Sequence, residues 1–286
     1  MMQLTYQEKL EGIIKKIEEA DAVVIGGASG MSAACGFDYY THSPFFEKYF
    51  SDFGEIYKEP SCWGLVYHRY RSHEERWAYM ARSGCVMLDL PAGKTYTDLY
   101  ELTKNKDYYI ITTNQDAQFS KVFNPEKIFT IQGDAHWMQC SRRCHDKIYP
   151  SDETLHKLNA AIVDGKLPSE MVPRCPVCGE VMEPWVKSYV FHYCSQWERE
   201  QDKYHEYLVD HQKQKIVFLA LGIGRMTPEF IKHPFMNMTY NLKDASLVIL
   251  NKGEDPVPSE IRDKTICIDG DILKTLDDLV SMKNNM

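Results

Sequence analysis

The chain has no run of basic residues and no long apolar run. Its 286 residues carry a formal net charge of −8. An acidic surface repels phosphate backbones, which argues against a nucleic-acid partner. No stretch approaches the about 20 apolar residues that cross a bilayer, so no membrane partner is expected. The N-terminus "MMQLTYQEKLEG" lacks a basic region followed by an apolar core, and no signal peptide is expected there. Nine cysteines without an export signal point to a reducing, cytoplasmic compartment. Thiols there serve as metal ligands or small buried side chains more often than as disulfides. A clean G-x-G-x-x-G is missing as well. So is an acidic residue closing a second strand ~20 residues further on, which disfavours an ordinary dehydrogenase. There is no internal repeat and no low-complexity segment.

What is present reads as a globular α/β protein. Hydrophobic residues make up 44% and charged residues 26%, proportions usual for a folded domain. Thr5 and Glu8 have capping-box spacing, and Leu10, Ile13, Ile14 and Ile17 mark one face of a first helix. "AVVIGG" follows as a wholly apolar strand, the kind buried on both faces of a parallel sheet. Similar runs recur as "YYIITTN", "KIFTIQG", "KIVFLALG", "ASLVILN" and "KTICID", with helical patterns between some of them. This alternation predicts a doubly wound parallel sheet, Rossmann-like in outline. Two stretches interrupt it. Residues 41–86 are aromatic and helical in pattern, and residues 136–204 hold five of the nine cysteines. The expected division is therefore a sheet domain of 1–40, 87–135 and 205–286, a helical insert of 41–86 and a metal-binding module of 136–204. The tail "SMKNNM" is expected to fray.

Two patterns carry chemistry. In "VVIGGASGMSAACGFDYY" a strand runs into Gly26, Gly27, Ala28, Ser29 and Gly30. Small residues between a parallel strand and a helix N-terminus let backbone N–H groups approach a pyrophosphate, so the turn suits a dinucleotide. A plain tight turn is the alternative. "CSRRC" supplies Cys140 and Cys144, and "CPVC" supplies Cys175 and Cys178. Four thiolates surround one tetrahedral Zn²⁺ and leave no open position, so the metal's role is structural. Four buried thiols without a metal are the alternative. His136, His145 and Cys194 lie near this module and read as packing or surface residues.

The order and spacing of these pieces resemble the sirtuin family. In "GMSAACGFDYY", residues Gly30, Met31, Ser32, Gly36, Phe37, Asp38 and Tyr39 match the segment G-I-S-x-x-S-G-I-P-D-F-R. The family's proline is missing, and Tyr40 stands where its arginine belongs. "TTNQDAQF" resembles T-Q-N-I-D-x-L. That likeness implies that Asn114 and Asp116 serve the nicotinamide and its ribose. "CPVCGEVMEPWV" resembles C-P-x-C-G-G-x-x-R-P-x-V. "LGIGRMTP", with Gly222 and Gly224, stands where the family has G-T-S-x-x-V-x-P. Asn251 and Asp271 fall at the adenosine side. The resemblance implies a sirtuin fold with NAD as substrate and a structural Zn²⁺. The NAD-binding residues it implies are Gly27, Ala28, Gly30, Ser32, Phe37, Asp38, Tyr39, Asn114, Asp116, Gln132, Gly222, Gly224, Asn251 and Asp271.

One departure redirects the expected activity. Gln132 stands where sirtuin deacylases have a histidine. A glutamine amide has no titratable proton near neutral pH and cannot act as a general base. "WVKSYVF" also replaces the family's V-V-x-F-G-E, which makes an ordinary acyl-lysine peptide a poor fit. The pattern is similar to the macrodomain-linked, class M sirtuins. That resemblance implies an NAD-dependent protein ADP-ribosyltransferase with Asn114, Gln132 and Asp116 as catalytic residues. It also implies a lipoylated carrier related to the glycine-cleavage H protein as acceptor. A macrodomain hydrolase acting in opposition and a role in oxidative stress belong to the same implication. A lysine deacylase using another base such as His136, an NAD hydrolase and a nucleotide sensor are the alternatives. Arg225 is either a phosphate or acceptor contact or a solvated loop residue, and Cys35 reads as a small side chain rather than a nucleophile.

Overall fold

In the computed structural model, which describes residues 4–253 and 256–285, Thr5 and Glu8 cap each other at the start of α1 (Tyr6–Glu19). Leu10, Ile13, Ile14 and Ile17 form its buried face. The apolar run that follows is β1 (Ala22–Gly27), buried at all six positions, and α2 (Ser29–Ala34) leaves its end. The aromatic stretch forms α3 (Pro44–Tyr57), α4 (Cys62–Tyr67) and α5 (His73–Asp89). Ser43, Ser61 and Ser72 cap these helices, each accepting a backbone N–H three residues on. α6 (Lys94–Thr103), β2 (Asp107–Thr112) and β3 (Ile128–Thr130) return to the sheet. The cysteine-bearing stretch contributes β4 (Gly133–Cys140), β5 (Tyr149–Pro150), α7 (Asp152–Ala160) and β6 (Met182–Val186). α8 (Ser195–His211), β7 (Ile216–Leu221), α9 (Lys232–Asn241) and β8 (Ala245–Asn251) follow. β9 (Thr265–Asp269) and α10 (Ile272–Asn284) end the chain.

Six strands form one all-parallel sheet in the order β3-β2-β1-β7-β8-β9. The order reverses at β1, so the crevice that such sheets offer to ligands lies at the carboxyl ends of β1 and β7. Gly27 sits between Thr112 and Leu221 in register. One face is covered by α1, α6 and α10, through Ile13, Tyr96, Leu99 and Leu276. The other is covered by α8 and α9, through Tyr204, Tyr207 and Phe235. α8 begins at Ser195, crosses position 204 and packs Tyr204 beside Phe129 of β3.

The two interruptions share one core. Phe45, Phe50, Phe53, Trp77 and Tyr79 pack with Met138, Cys140, Cys175, Val181 and Met182. The Trp77 indole N–H donates to the Met182 carbonyl at 3.1 Å. A small antiparallel sheet, β5-β4-β6, runs through this second lobe. The tail does not fray as expected: α10 continues to Asn284. Met282 packs against the sheet core, and the Lys283 ammonium donates to the Leu102 carbonyl at 3.1 Å.

Candidate active site

At the switch point two backbones meet. Gly30 N–H donates to the Gly222 carbonyl at 3.0 Å, and Ala28 N–H donates to Leu221 at 3.0 Å. A Cβ on Gly30 would lie 2.6 Å from Gly222 Cα. Gly222 itself has a φ of +64°, a left-handed conformation that favours glycine. These glycines therefore serve the approach of the β1 turn to the β7 loop, a partner the sequence pattern did not name.

Beneath the turn lies a buried polar network. Ser32 Oγ donates to Asp116 Oδ2 at 2.6 Å and lies 2.8 Å from the Tyr96 hydroxyl. Asn114 Nδ2 donates to that hydroxyl at 2.9 Å and to Ser32 Oγ at 3.3 Å. Thr112 Oγ1 holds the Asn114 N–H at 3.0 Å and donates to the Gly27 carbonyl at 2.9 Å, tying the ends of β1 and β2 together. Gln118 accepts the Gly93 N–H at 2.8 Å, and its own N–H reaches Asp116 Oδ1 at 3.4 Å. Burial pushes the Asp116 carboxyl up, against the hydrogen bonds from Ser32 and Gln118. The Gln118 side-chain NH₂ and the Tyr39 hydroxyl are buried without partners among the described residues. Tyr96, Thr112 and Gln118 were not singled out from the sequence. Tyr96 reads there as a core aromatic on a helix, and Thr112 and Gln118 flank the Asn114–Asp116 motif without a signal of their own.

Gln132 sits in the turn between β3 and β4, half-buried. Its backbone carbonyl accepts from Lys187 N–H at 2.8 Å and from Gln115 Nε2 at 3.3 Å, and its side chain makes no hydrogen bond among the described residues. Gly133 follows at a φ of +80°, where a Cβ would lie 1.9 Å from the Trp185 carbonyl oxygen. Only glycine fits that turn. Asp134 is next and is 7% exposed. A small internal cavity of about 20 Å³ is lined by Thr112, Asn114, Asp116, Gln118, Thr130 and Asp134, among others. Glu200 of α8 packs behind Thr130, and burial raises its carboxyl to about 7.

The remaining candidates line the carboxyl edge of the sheet or the segment after α2. Phe37 packs on Phe45 with centroids 5.9 Å apart. Asp38 accepts the N–H groups of Tyr40 and Thr41 at 2.8 and 3.2 Å and so fixes its own turn. Gly224 and Arg225 are exposed in the loop after β7. Asn251 ends β8 and donates to the Ile223 carbonyl at 3.2 Å. Asp271 is exposed and caps α10 by accepting Lys274 N–H at 2.9 Å. Burial raises the Cys35 thiol, which keeps it protonated.

In the second lobe the sulfurs of Cys140, Cys144, Cys175 and Cys178 all lie within 4.8 Å of one another. Cys140 and Cys178 are 3.6 Å apart, and Cys144 and Cys175 are 3.7 Å apart. Tetrahedral Zn–S bonds of ≈ 2.3 Å imply sulfur separations of about 3.8 Å, so the quartet fits a zinc ion. His145 stands closer than a bystander would. Its Nδ1 is 3.0 Å from Cys144 Sγ, and its Nε2 is 2.8 Å from the Tyr149 hydroxyl.

Known structures place this architecture. Sir2Tm bound to a propionylated peptide superposes with a TM-score of 0.63 at 18% identity, covering 97% of this chain and 100% of that one. A Sir2 complex with p53 peptide and NAD⁺ gives 0.58 at 17% identity, covering 97% and 99%. The fold is that of the sirtuins. No family model matches the sequence. Among curated proteins, a protein ADP-ribosyltransferase of Staphylococcus aureus is 37% identical over 266 residues, 90% of this chain and 82% of that protein. A probable bifunctional ADP-ribose hydrolase/ADP-ribosyltransferase of Fusarium oxysporum is 26% identical over 283 residues. The match takes in 90% of this chain but 45% of the fungal protein, so the chain spans under half of that relative. The chain belongs to the sirtuin-type protein ADP-ribosyltransferases and is an enzyme.

Proposed function

We propose that this enzyme cleaves NAD, releases nicotinamide and transfers ADP-ribose to an acceptor protein in the cytoplasm. The proposed acceptor is a lipoylated carrier related to the glycine-cleavage H protein. The observation that carries the reading is the Ser32–Tyr96–Asn114–Asp116 network at the ends of β1 and β2, with an amide and no imidazole at position 132. NAD supplies a labile glycosidic bond whose cleavage develops positive charge at the anomeric carbon. Asp116, oriented by Ser32 and the Gln118 N–H, is the proposed acceptor for the nicotinamide carboxamide. Asn114 and the free Gln132 side chain offer amide groups to sugar hydroxyls or to the incoming nucleophile. Fixed dipoles in a buried site act without reorganising, which is where they stabilise a transition state most.

The Sir2 complex that contains NAD⁺ and the name of the Staphylococcus protein support NAD as the donor. The turn at Gly27, Ala28 and Gly30, with Ser32, Phe37, Asp38 and Tyr39, forms one half of the proposed cofactor site. Gly222, Gly224, Asn251 and Asp271 form the other. The cysteine quartet holds a structural Zn²⁺, which contributes folding energy rather than chemistry. The fungal relative's name joins ADP-ribose hydrolysis and transfer in one protein, which supports a macrodomain-type hydrolase as the opposing partner. A role in oxidative stress completes the proposal. The test is to incubate the zinc-loaded protein with NAD, the lipoylated carrier and an acylated peptide, then weigh the products. One ADP-ribose added to the carrier supports transfer. Deacylation of the peptide with an unchanged carrier overturns it, and free ADP-ribose alone makes the protein an NAD hydrolase.

A further inference from the structure

An amide at position 132 leaves open where the acceptor's proton goes. The small pocket lined by Thr130 and Asp134, which flank Gln132 in the chain, has two titratable side chains in its lining, Asp116 and Asp134. Both oxygens of Asp116 are engaged, Oδ2 by Ser32 and Oδ1 by the Gln118 N–H. Among the described residues Asp134 accepts only from the His136 N–H, through Oδ1 at 2.8 Å. None of the described residues donates to its Oδ2, although the residue is 7% exposed and lines the cavity. Other candidates nearby are committed elsewhere. His136 turns Nδ1 to Asp152 at 2.9 Å and does not line the cavity. Glu200 is bonded by Gln196 at 3.2 Å and Thr130 at 3.4 Å, behind β3. Burial keeps the Tyr39 and Tyr96 phenols protonated.

We infer that Asp134 is the proton acceptor of the transfer, and that the acceptor group reaches the site still carrying its proton, as a hydroxyl, thiol or amine. The inference rests on the proposed NAD-dependent transfer. The nucleophile bonds to the anomeric carbon as the bond from that carbon to the nicotinamide nitrogen breaks. Nicotinamide leaves neutral with the electron pair, and the nucleophile's proton passes to Asp134 Oδ2. The turn at Gly133 fixes Asp134 relative to Gln132, so the residue that orients and the residue that takes the proton move as one unit.

The charged groups around Asp134 set its range. Burial is the main cause that raises it, Asp116 and Asp152 add to it, and His136 offsets it, for a value of about 6. The Lys121 ammonium and the Glu200 carboxyl also face it. A base in that range works near neutral pH.

The test measures nicotinamide release from NAD with the lipoylated carrier present, so that attack by carrier or water is counted and both lose a proton. The wild-type kcat/KM is expected to fall on the acid side of about pH 6. Asp134→Asn is expected to lower it by about 10²-fold or more and to abolish the acid limb. NAD affinity by calorimetry is expected to stay unchanged, and that binding also reports that the variant folds. Asp134→Glu, which keeps a carboxylate, is expected to restore part of the rate. Equal rates and an unchanged acid limb in Asp134→Asn would overturn this inference and leave the transfer reading standing. Loss of NAD binding in both variants would also overturn it, by making the role structural. A wild type that releases no nicotinamide would overturn both readings.

Discussion

The buried network can be given a direction, and Tyr96→Phe tests it. Ser32 has one proton, and it is committed to Asp116 at 2.6 Å. The Tyr96 hydroxyl must then donate to Ser32 Oγ across their 2.8 Å contact, while its oxygen accepts from Asn114 Nδ2 at 2.9 Å. Donation therefore runs from Asn114 through Tyr96 and Ser32 to the Asp116 carboxylate. Tyr96 is fully buried, so no water replaces the lost hydroxyl without rearrangement. Removing it leaves an Asn114 N–H with only the 3.3 Å contact to Ser32, and leaves Ser32 Oγ without its strongest donor. An unsatisfied buried group costs about 1–3 kcal/mol. At about 2–4 °C per kcal/mol for a chain of this size, Tm falls by roughly 2–12 °C. Turnover falls further than stability alone predicts, because Asn114 loses its orientation, and each ~1.4 kcal/mol lost in the transition state is tenfold in rate. Thr103→Val is the control. It lies on the same helix, is fully buried and donates only to the Leu99 carbonyl at 2.8 Å, so it should leave kcat intact. Wild-type melting and wild-type turnover in Tyr96→Phe would refute the directed network.

The second lobe should depend on its metal: Cys175→Ser, or stripping with a chelator, releases one zinc per chain by elemental analysis and lowers Tm, because Cys175 and Cys140 sit within the lobe's core. Unchanged melting would remove the metal from the fold. Glu200 predicts a pH dependence of stability. Burial raises its carboxyl from 4.5 to about 7 in the folded state, so between those values the folded chain binds more protons than the unfolded one. Its contribution is complete below about pH 4.5 and is lost as pH rises through 7. Glu200→Gln is therefore expected to raise Tm at pH 8 and change it little at pH 4.5, and the opposite order would exclude this placement. Gly30→Ala brings a Cβ to 2.6 Å from Gly222 Cα. Backbone cannot yield as a side chain does, so a loss of about 1–3 kcal/mol is expected, with weakened NAD binding by calorimetry. Wild-type affinity in that variant would separate the turn from the cofactor site.

How much of this was legible in the sequence depended on the range of the interactions. α1 was readable because a capping box and a four-residue apolar face lie within one segment. β1 was readable because burial on both faces leaves no polar position. The cysteine quartet was readable because its two pairs are local knuckles, each with a fixed spacing. The shared core of the second lobe was not, since Phe50 and Phe53 meet Val181 and Met182 only in three dimensions. The helical tail was hidden in the same way, because its anchors are the sheet core and the end of α6. The glycine turn was read as a ligand site or a plain tight turn, and neither reading named the partner that excludes a side chain at Gly30, which is Gly222, far along the chain. Tyr96 looked like any helical aromatic, because a pattern of apolar positions does not reveal where a hydroxyl points.

Asp134 was in view throughout and carried no signal, for a physical reason. An aspartate directly after the run "KIFTIQG" reads as an ordinary turn residue, solvated and ionised. What changes its chemistry is burial beside Asn114 and Asp116, with the charges of Asp116 and Asp152 adding to the effect of burial. The exchange of an imidazole for an amide at position 132 is then not simply a loss. A histidine combines orientation and proton acceptance in one ring. Here Gln132 keeps hydrogen-bonding capacity without charge, and a carboxylate on the far side of Gly133 takes the proton. Because Gly133 is locked by its positive φ and by the Trp185 carbonyl, neither residue shifts without the other. A substitution that only loosens that turn should therefore depress turnover through both functions at once, while leaving the Ser32–Asp116 end of the site in place.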